Sequence, residues 1–204
     1  MKILIVDYGL GNLRSVQYKL QQLGFNAIIS SQPQDILNAD KLILPGVGHF
    51  AKAMTNIKGS GLDKILNKKV IEEKINILGI CLGMQLFSGF SEEGNVNGLG
   101  WLNAETKKFG VVKGSALKIP HMGWNTLEMK NESPLFKGIA PNSMYYFSHS
   151  YHIVLQKSKE VTSVTNYLQG FTSSLRKENI FGTQFHPEKS HEAGLEILRN
   201  FCMI

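Results

Sequence analysis

Short apolar runs that alternate with amphipathic segments constrain this chain more than any other feature. Ile3-Leu4-Ile5-Val6, Phe25 to Ile29, Leu42-Ile43-Leu44 and the run Ile75, Ile77, Leu78, Ile80 each have the length and composition of a buried strand. Between the first two, Asn12 is placed to cap a helix that carries Leu13, Val16, Leu20 and Leu23 on one face, and Gly24 is placed to stop it. Leu62 to Glu73 reads as a second helix with Ile65, Leu66 and Val70 inward. Uniformly apolar strands separated by helices pack as a parallel sheet covered on both faces. Between residues 99 and 185 the pattern changes to β-like segments, Met144 to Phe147, His152 to Leu155, Val161 to Thr165 and Ile180 to Phe185, divided by Gly, Asn, Pro and Ser turns. A last helix, capped by Ser190, turns Leu195, Leu198 and Phe201 inward. The expectation is an α/β fold, a mixed, mostly parallel central sheet with helices on both faces, as one domain over residues 1–204. A chain of 204 residues removes roughly 70% of its unfolded surface from water, enough for a core without disulfide or structural metal.

Composition narrows the function classes. The formal net charge is +6, but 19 of the 22 basic residues are Lys, whereas base readout and bidentate phosphate contacts favour Arg. Lys64, Lys68, Lys69 and Lys74 fall on the second helix and Lys107, Lys108 and Lys113 in a loop-like stretch. This reads as a solvated basic surface that steers an acidic partner, not as a nucleic-acid site. The first apolar run stops at Asp7, and no run approaches the ~18 residues of a membrane span, so a cytoplasmic chain with no membrane contact is expected. Cytosolic thiols are normally reduced, so Cys81 and Cys202 are each read as packing or chemical residues rather than as a bridge.

The densest chemical signal is Gly79-Ile80-Cys81-Leu82-Gly83, after an apolar strand and before a helix expected over Leu82 to Phe87. It has the form of a nucleophile elbow with Cys for Ser. Flanking glycines permit a sharp turn that exposes the thiol at the strand end, and a helix N-terminus favours thiolate. A cysteine by itself is more often core packing; the two glycines and the strand-to-helix setting favour the nucleophile. A base is available in His186-Pro187-Glu188, after the strand Ile180 to Phe185: a period of two turns His186 and Glu188 the same way, so the carboxylate can orient the imidazole. Oxyanion donors are available in the N–H of Leu82 and in that of Val47 within Pro45-Gly46-Val47-Gly48. His149-x-x-His152 and His186-x4-His191 lack a matching cysteine or carboxylate cluster, so no metal is expected.

Gly79 to Gln85 and Gln184 to Ser190 together resemble the class I, triad-type glutamine amidotransferases. The segments Asp7 to Leu13, Leu44 to Gly48 and Pro120 to Asn125 narrow the resemblance to the glutaminase subunit of imidazole glycerol phosphate synthase, from end to end of the chain. The resemblance implies a flavodoxin-like fold and a Cys81, His186, Glu188 triad that hydrolyses glutamine to glutamate. It implies that Gly46, Gly48, Gln85, Glu93, Ser150 and Tyr151 hold the substrate. It further implies a heterodimer with a (β/α)₈ cyclase, which receives ammonia through a tunnel and makes imidazole glycerol phosphate and aminoimidazole carboxamide ribotide. Pro120, Met122, Trp124 and Lys189 are the implied partner face, and the Pro45 to Gly48 peptide is the implied activation switch. No cofactor is implied. Relatives that feed amidino-sugar synthesis in surface glycans keep the same catalytic motifs, and a non-catalytic binding subunit of a synthase is the reading from another class.

Overall fold

A computed structural model describes residues 1–110 and 117–204 of the chain. The strands are β1 (Ile3–Val6), β2 (Ala27–Ser30), β3 (Lys41–Gly46), β4 (Asn76–Cys81), β5 (Phe90–Ser91), β6 (Val96–Asn97), β7 (Ala104–Lys108), β8 (His121–Thr126), β9 (Glu128–Met129), β10 (Met144–His149), β11 (Tyr151–Leu155), β12 (Val161–Tyr167), β13 (Gln169–Lys177) and β14 (Ile180–Thr183). The α-helices are α1 (Leu13–Gln22), α2 (Pro33–Leu37), α3 (Phe50–Gly59), α4 (Leu62–Asn67), α5 (Leu82–Gln85) and α6 (His191–Met203). Among the described residues, eight strands form one sheet in the order β2-β1-β3-β4-β14-β13-β12-β9. It is parallel from β2 through β14 and antiparallel beyond. The expected mixed, mostly parallel sheet is present.

Alternation along the strands explains the two layers. Leu4, Val6, Leu42 and Leu44 face a core shared with Ile36, Ile57, Leu62 and Leu66 from α2, α3 and α4, whereas Ile3, Ile5, Ile43 and Ile80 face Val16 and Leu20 of α1 and Ile197, Leu198 and Phe201 of α6. Asn12 caps α1, its Oδ1 accepting from the Ser15 N–H at 3.4 Å. The last carbonyls of α6 are satisfied from the sheet: buried Lys41 donates from Nζ to the oxygens of Phe201, at 3.0 Å, and Cys202, at 2.7 Å. No helix among the described residues is long and apolar enough to cross a membrane.

Several local expectations are corrected. β3 does not stop at Leu44: Pro45 and Gly46 continue it against Ile80 and Cys81 of β4, beyond the last β1 partner, so the absent N–H of proline leaves no ladder gap on that side. The expected Leu62 to Glu73 helix divides into α4 and a π-helical turn, Lys68–Glu72. That turn buries Lys69, whose ammonium pairs with Glu73 at 2.6 Å, so Lys69 is not part of a solvated face. Lys107 and Lys108 end β7 rather than a loop, because β7 is paired along its length with β11; Lys113 lies outside the described residues. In α6, Ile197 is buried where Leu195 was expected and Leu195 is half-buried. Ser190 stands at the helix start without capping it: its hydroxyl donates to the His186 carbonyl at 2.6 Å and accepts the Tyr146 N–H at 3.0 Å.

Candidate active site

The parallel register assembles the site. Gly46 lies opposite Cys81 in the β3–β4 pair, which sets the Val47 peptide beside the thiol. On the other side of β4, Thr183 lies opposite Ile80, so the chain leaving β14 carries His186 back towards Cys81. Groups gathered just beyond the carboxyl ends of neighbouring strands are where open α/β sheets hold ligands.

Cys81 has φ 54° and ψ −110°, a left-handed conformation that a non-glycine residue adopts at a cost and only where the surroundings enforce it. The surroundings are close. A Cβ on Gly83 would collide with the Leu44 carbonyl, and one on Gly46 with the Tyr8 hydroxyl and the Leu82 side chain, so glycine at both positions lets β3 and the elbow touch. Two expectations for the elbow are corrected. The helix that follows is the single turn α5, which ends at Gln85 because Leu86 to Ser88 turn off to meet residues 99–102, so its dipole is small. The thiol is also not exposed on the surface: Cys81 is 5% accessible and lies in the wall of a cleft.

His186 and Glu188 meet as expected, Nδ1 to Oε1 at 2.8 Å, with both side chains buried. The reason is different. β14 ends at Thr183, and Pro187–Lys189 forms a 3₁₀ turn, so the pair is made by a turn and not by alternation along a strand. Pro187 accordingly opens that turn instead of closing a strand. Burial disfavours charge on His186, but the nearby Cys81 sulfur and the Glu188 carboxylate outweigh it and push the imidazole up to about 10. The charged form of the ring is favoured, with Glu188 on its Nδ1 side.

The cleft at Cys81 has a volume of about 190 Å³ and is lined by Val47, Gly48, Leu82, Gln85, Glu93, Pro120, Ser148, His149, Ser150 and Tyr151. The structure therefore gathers Gly48, Gln85, Glu93, Ser150 and Tyr151 around the thiol and leaves Gly46 behind the cleft, where it packs under Tyr8. Glu93 is fixed by the first N–H of α3, from Phe50 to Oε2 at 2.8 Å. Gln85 donates from Nε2 to the Tyr151 carbonyl at 2.8 Å and to Gln184 Oε1 at 3.0 Å. A larger surface cleft of about 560 Å³, between Met129 and Arg176, is lined by no cysteine or histidine.

On β8 the side chains alternate, His121 inward and Met122 and Trp124 outward, the latter two 62% and 41% exposed. Trp124 stacks flat on His191 at 4.7 Å, and the Lys189 ammonium stands 5.5 Å over the Tyr146 ring. Pro120, immediately before β8, belongs to the rim of the Cys81 cleft, so the cleft and this exposed strip adjoin. No group of three or more His, Cys, Asp or Glu residues with metal-binding geometry occurs among the described residues. Cys202, on α6, is buried in the core, and burial pushes its thiol up to about 12.

Sequence reasoning missed four side chains that the fold brings to the site. Gln184 is fully buried and donates from Nε2 to Cys81 Sγ at 3.6 Å; it lies in a recognised segment, but its type carries no signal for such a contact. Tyr8 donates to the Pro45 carbonyl at 2.7 Å, and burial, reinforced by nearby Cys81, raises its phenol well above the usual range. His121 and His149 form a buried pair against the cleft.

A family model for class-I glutamine amidotransferases matches residues 4–204. Imidazole glycerol phosphate synthase subunit HisH 2 of Methanococcus maripaludis is 48% identical over 199 residues, covering 98% of both chains. Subunit HisH 1 of Campylobacter jejuni is 45% identical over 203 residues, 99% of this chain and all of its own length. Among solved structures, one described as a glutamine amidotransferase superposes with a TM-score of 0.71 at 18% identity, each chain covered to 98%. The structure of PurLQS from Thermotoga maritima superposes with a TM-score of 0.65 at 17% identity, covering 99% of this chain and 97% of its own. The structural likeness carries the fold, and the full-length identity carries the family: this chain belongs to the class-I glutamine amidotransferases, among the HisH subunits of imidazole glycerol phosphate synthase.

Proposed function

We propose that the chain, as one amidotransferase domain, is the glutaminase subunit of a cytoplasmic imidazole glycerol phosphate synthase and delivers ammonia to a (β/α)₈ cyclase subunit for histidine biosynthesis. The observation that carries this reading is the strained Cys81 on its elbow at the cleft, with His186 carried back towards it from β14 and held from behind by the Glu188 carboxylate at 2.8 Å. The Cys81 thiolate attacks the side-chain amide carbon of glutamine, and the N–H groups of Val47 and Leu82 receive the negative charge on the amide oxygen. His186 gives its proton to the amide nitrogen, and the carbon–nitrogen bond breaks to release ammonia and leave a glutamyl thioester. Water then attacks the thioester, His186 takes its proton, and glutamate leaves with the thiolate restored. Glu93 pairs with the substrate ammonium, and Gly48, Ser150 and Tyr151, with Gln85, hold the rest of the amino acid. Met122, Trp124 and Lys189, beside the Pro120 rim, are the docking strip for the cyclase, and the Val47 peptide is the switch that docking and acceptor binding turn.

The test is glutamate release by the chain with its synthase partner and an acceptor analogue. Cys81→Ala is expected to lower it at least about 10³-fold, since it removes the thiol that the elbow presents to the cleft. A glutamine-mimicking electrophile should label Cys81 and leave Cys202 untouched. Activity retained by Cys81→Ala, or a complex that forms without labelling or turnover, would make the chain a binding subunit instead.

A further inference from the structure

His121 and His149 are used by no step above, yet their hydrogen bonds admit one arrangement only. His149 Nδ1 lies 2.8 Å from the Tyr151 carbonyl, which can only accept, so Nδ1 carries the hydrogen and Nε2 is bare. His121 Nδ1, 3.1 Å from that bare nitrogen, must donate, which leaves His121 Nε2 as the acceptor for the Asn125 amide at 3.5 Å. Asn125 is itself oriented: its Oδ1 accepts the Thr126 N–H at 2.9 Å and its Nδ2 donates to the Asn166 carbonyl at 3.1 Å. A single-direction chain therefore runs inward from β8 to the Tyr151 carbonyl. There it meets Gln85, which donates to the same oxygen and passes the chain through Gln184 to the Cys81 sulfur. Burial holds both rings neutral, depressing His121 to about 4 and His149 to about 3, as two single-tautomer links require.

We propose that His121 and His149 are positioning residues that set glutamine binding: they hold the Tyr151 carbonyl, and with it the Gln85 amide, in the cleft and tie both to the strand that carries Met122 and Trp124. The assignment rests on the reading of the cleft as the glutamine site. The substrate never touches the His121 ring, and the carbonyl that His149 holds takes no part in bond making. The effect therefore belongs in KM and not in kcat.

The experiment is steady-state glutaminase kinetics of the complex with the synthase partner and acceptor analogue. His149→Phe keeps the ring in its aromatic shell and removes both nitrogens; KM is expected to rise roughly three- to tenfold, the scale of one buried hydrogen bond, with kcat within about twofold. His149→Asn places an amide N–H where Nδ1 stood and should bring KM back to within about twofold of the parent, whereas His149→Gln reaches only the Nε2 position and should behave like Phe. A packing role orders the variants the other way, with Phe mildest and the small Asn worst. His121→Phe removes the donor that locks the His149 tautomer and the weak acceptor for Asn125 but leaves the His149 bond to the Tyr151 carbonyl, and about a twofold rise is expected. Asn no better than Phe, a fall in kcat in place of a rise in KM, or unchanged KM in every variant of an active complex overturns this assignment alone. An unaltered complex that releases no glutamate overturns the reading of the cleft and this assignment together.

Discussion

His186 and His149 lie near the same sulfur, both almost fully buried, and are driven in opposite directions: burial keeps His149 neutral, whereas the charged form of His186 is favoured. His149 has neighbouring rings and a carbonyl for company, so burial, aided by the nearby histidines, outweighs the Tyr151 carbonyl and the imidazole is driven down to about 3. His186 pays the same burial but sits between the Cys81 sulfur and the Glu188 carboxylate, and is pushed up to about 10. Depth in the protein does not set the charge of a histidine; what it faces at that depth does. One ring is thereby fitted to give a proton, the other, kept neutral near pH 7, to hold a hydrogen-bond direction.

The contrast breaks most visibly if the acidic neighbour is neutralised. Glu188→Gln keeps the shape of the turn and removes the charge behind His186, so the imidazole should fall towards ordinary histidine values and kcat for glutamate release should drop roughly 10²- to 10⁴-fold, with KM changed little. A pH profile of the same variant checks the cause: the alkaline limb of the parent should move to lower pH. An unchanged profile would mean that Glu188 fixes only the backbone turn.

The second effect is on stability and has opposite signs in the two settings. The His121 and His149 rings have native pKa values below that of the unfolded chain, so the unfolded state binds more protons as pH falls below the ordinary histidine value of 6.5. Their neutral-state stability is full above 6.5 and is lost as pH falls towards about 4 and about 3. His186 is raised, so its contribution is full below 6.5 and is lost as pH rises towards about 10. Chemical denaturation from pH 7 to pH 4.5 should cost at least about 2 kcal/mol in the parent. The double variant of His121→Phe and His149→Phe should remove most of that acid dependence. Equal acid sensitivity of the parent and the double variant would show that the pair is not the source.

The smallest effect separates the His186 ring from its backbone. Ser190 ties the His186 carbonyl to the β10 strand through one hydroxyl. Ser190→Ala should destabilise the chain by about 1–2 kcal/mol and lower kcat only a few-fold. A loss as large as that of Glu188→Gln would shift the weight from charge to placement.

Much of this site was legible in the chain, and the illegible parts share a cause. Gly79, Cys81 and Gly83 are adjacent, and an elbow is a local conformation that glycines permit, so Cys81 could be read directly. The His186–Glu188 contact was foreseen from strand alternation and arises from a 3₁₀ turn; two residues of separation allow both routes. Helices α2 and α3 were not foreseen: α2 spans five residues, and α3 begins where Phe50 meets the Glu93 carboxylate 43 positions away. Lys69 looked solvated because lysines usually are, and its burial follows from the π turn that rotates it inward beside Glu73.

The sequence by itself determined the alternating strands and helices, the elbow and the family, because each rests on spacing within a few residues or on motifs kept in order along the chain. Tertiary structure alone decided which side chains surround the sulfur. Gln184 reaches Cys81 across 103 positions, Gln85 reaches Gln184 across 99, and His121 reaches His149 across 28, contacts made by strand register and burial that no local pattern encodes. The charge of each histidine follows from those contacts, since a pKa is set by the neighbours that folding supplies and not by the residue's type.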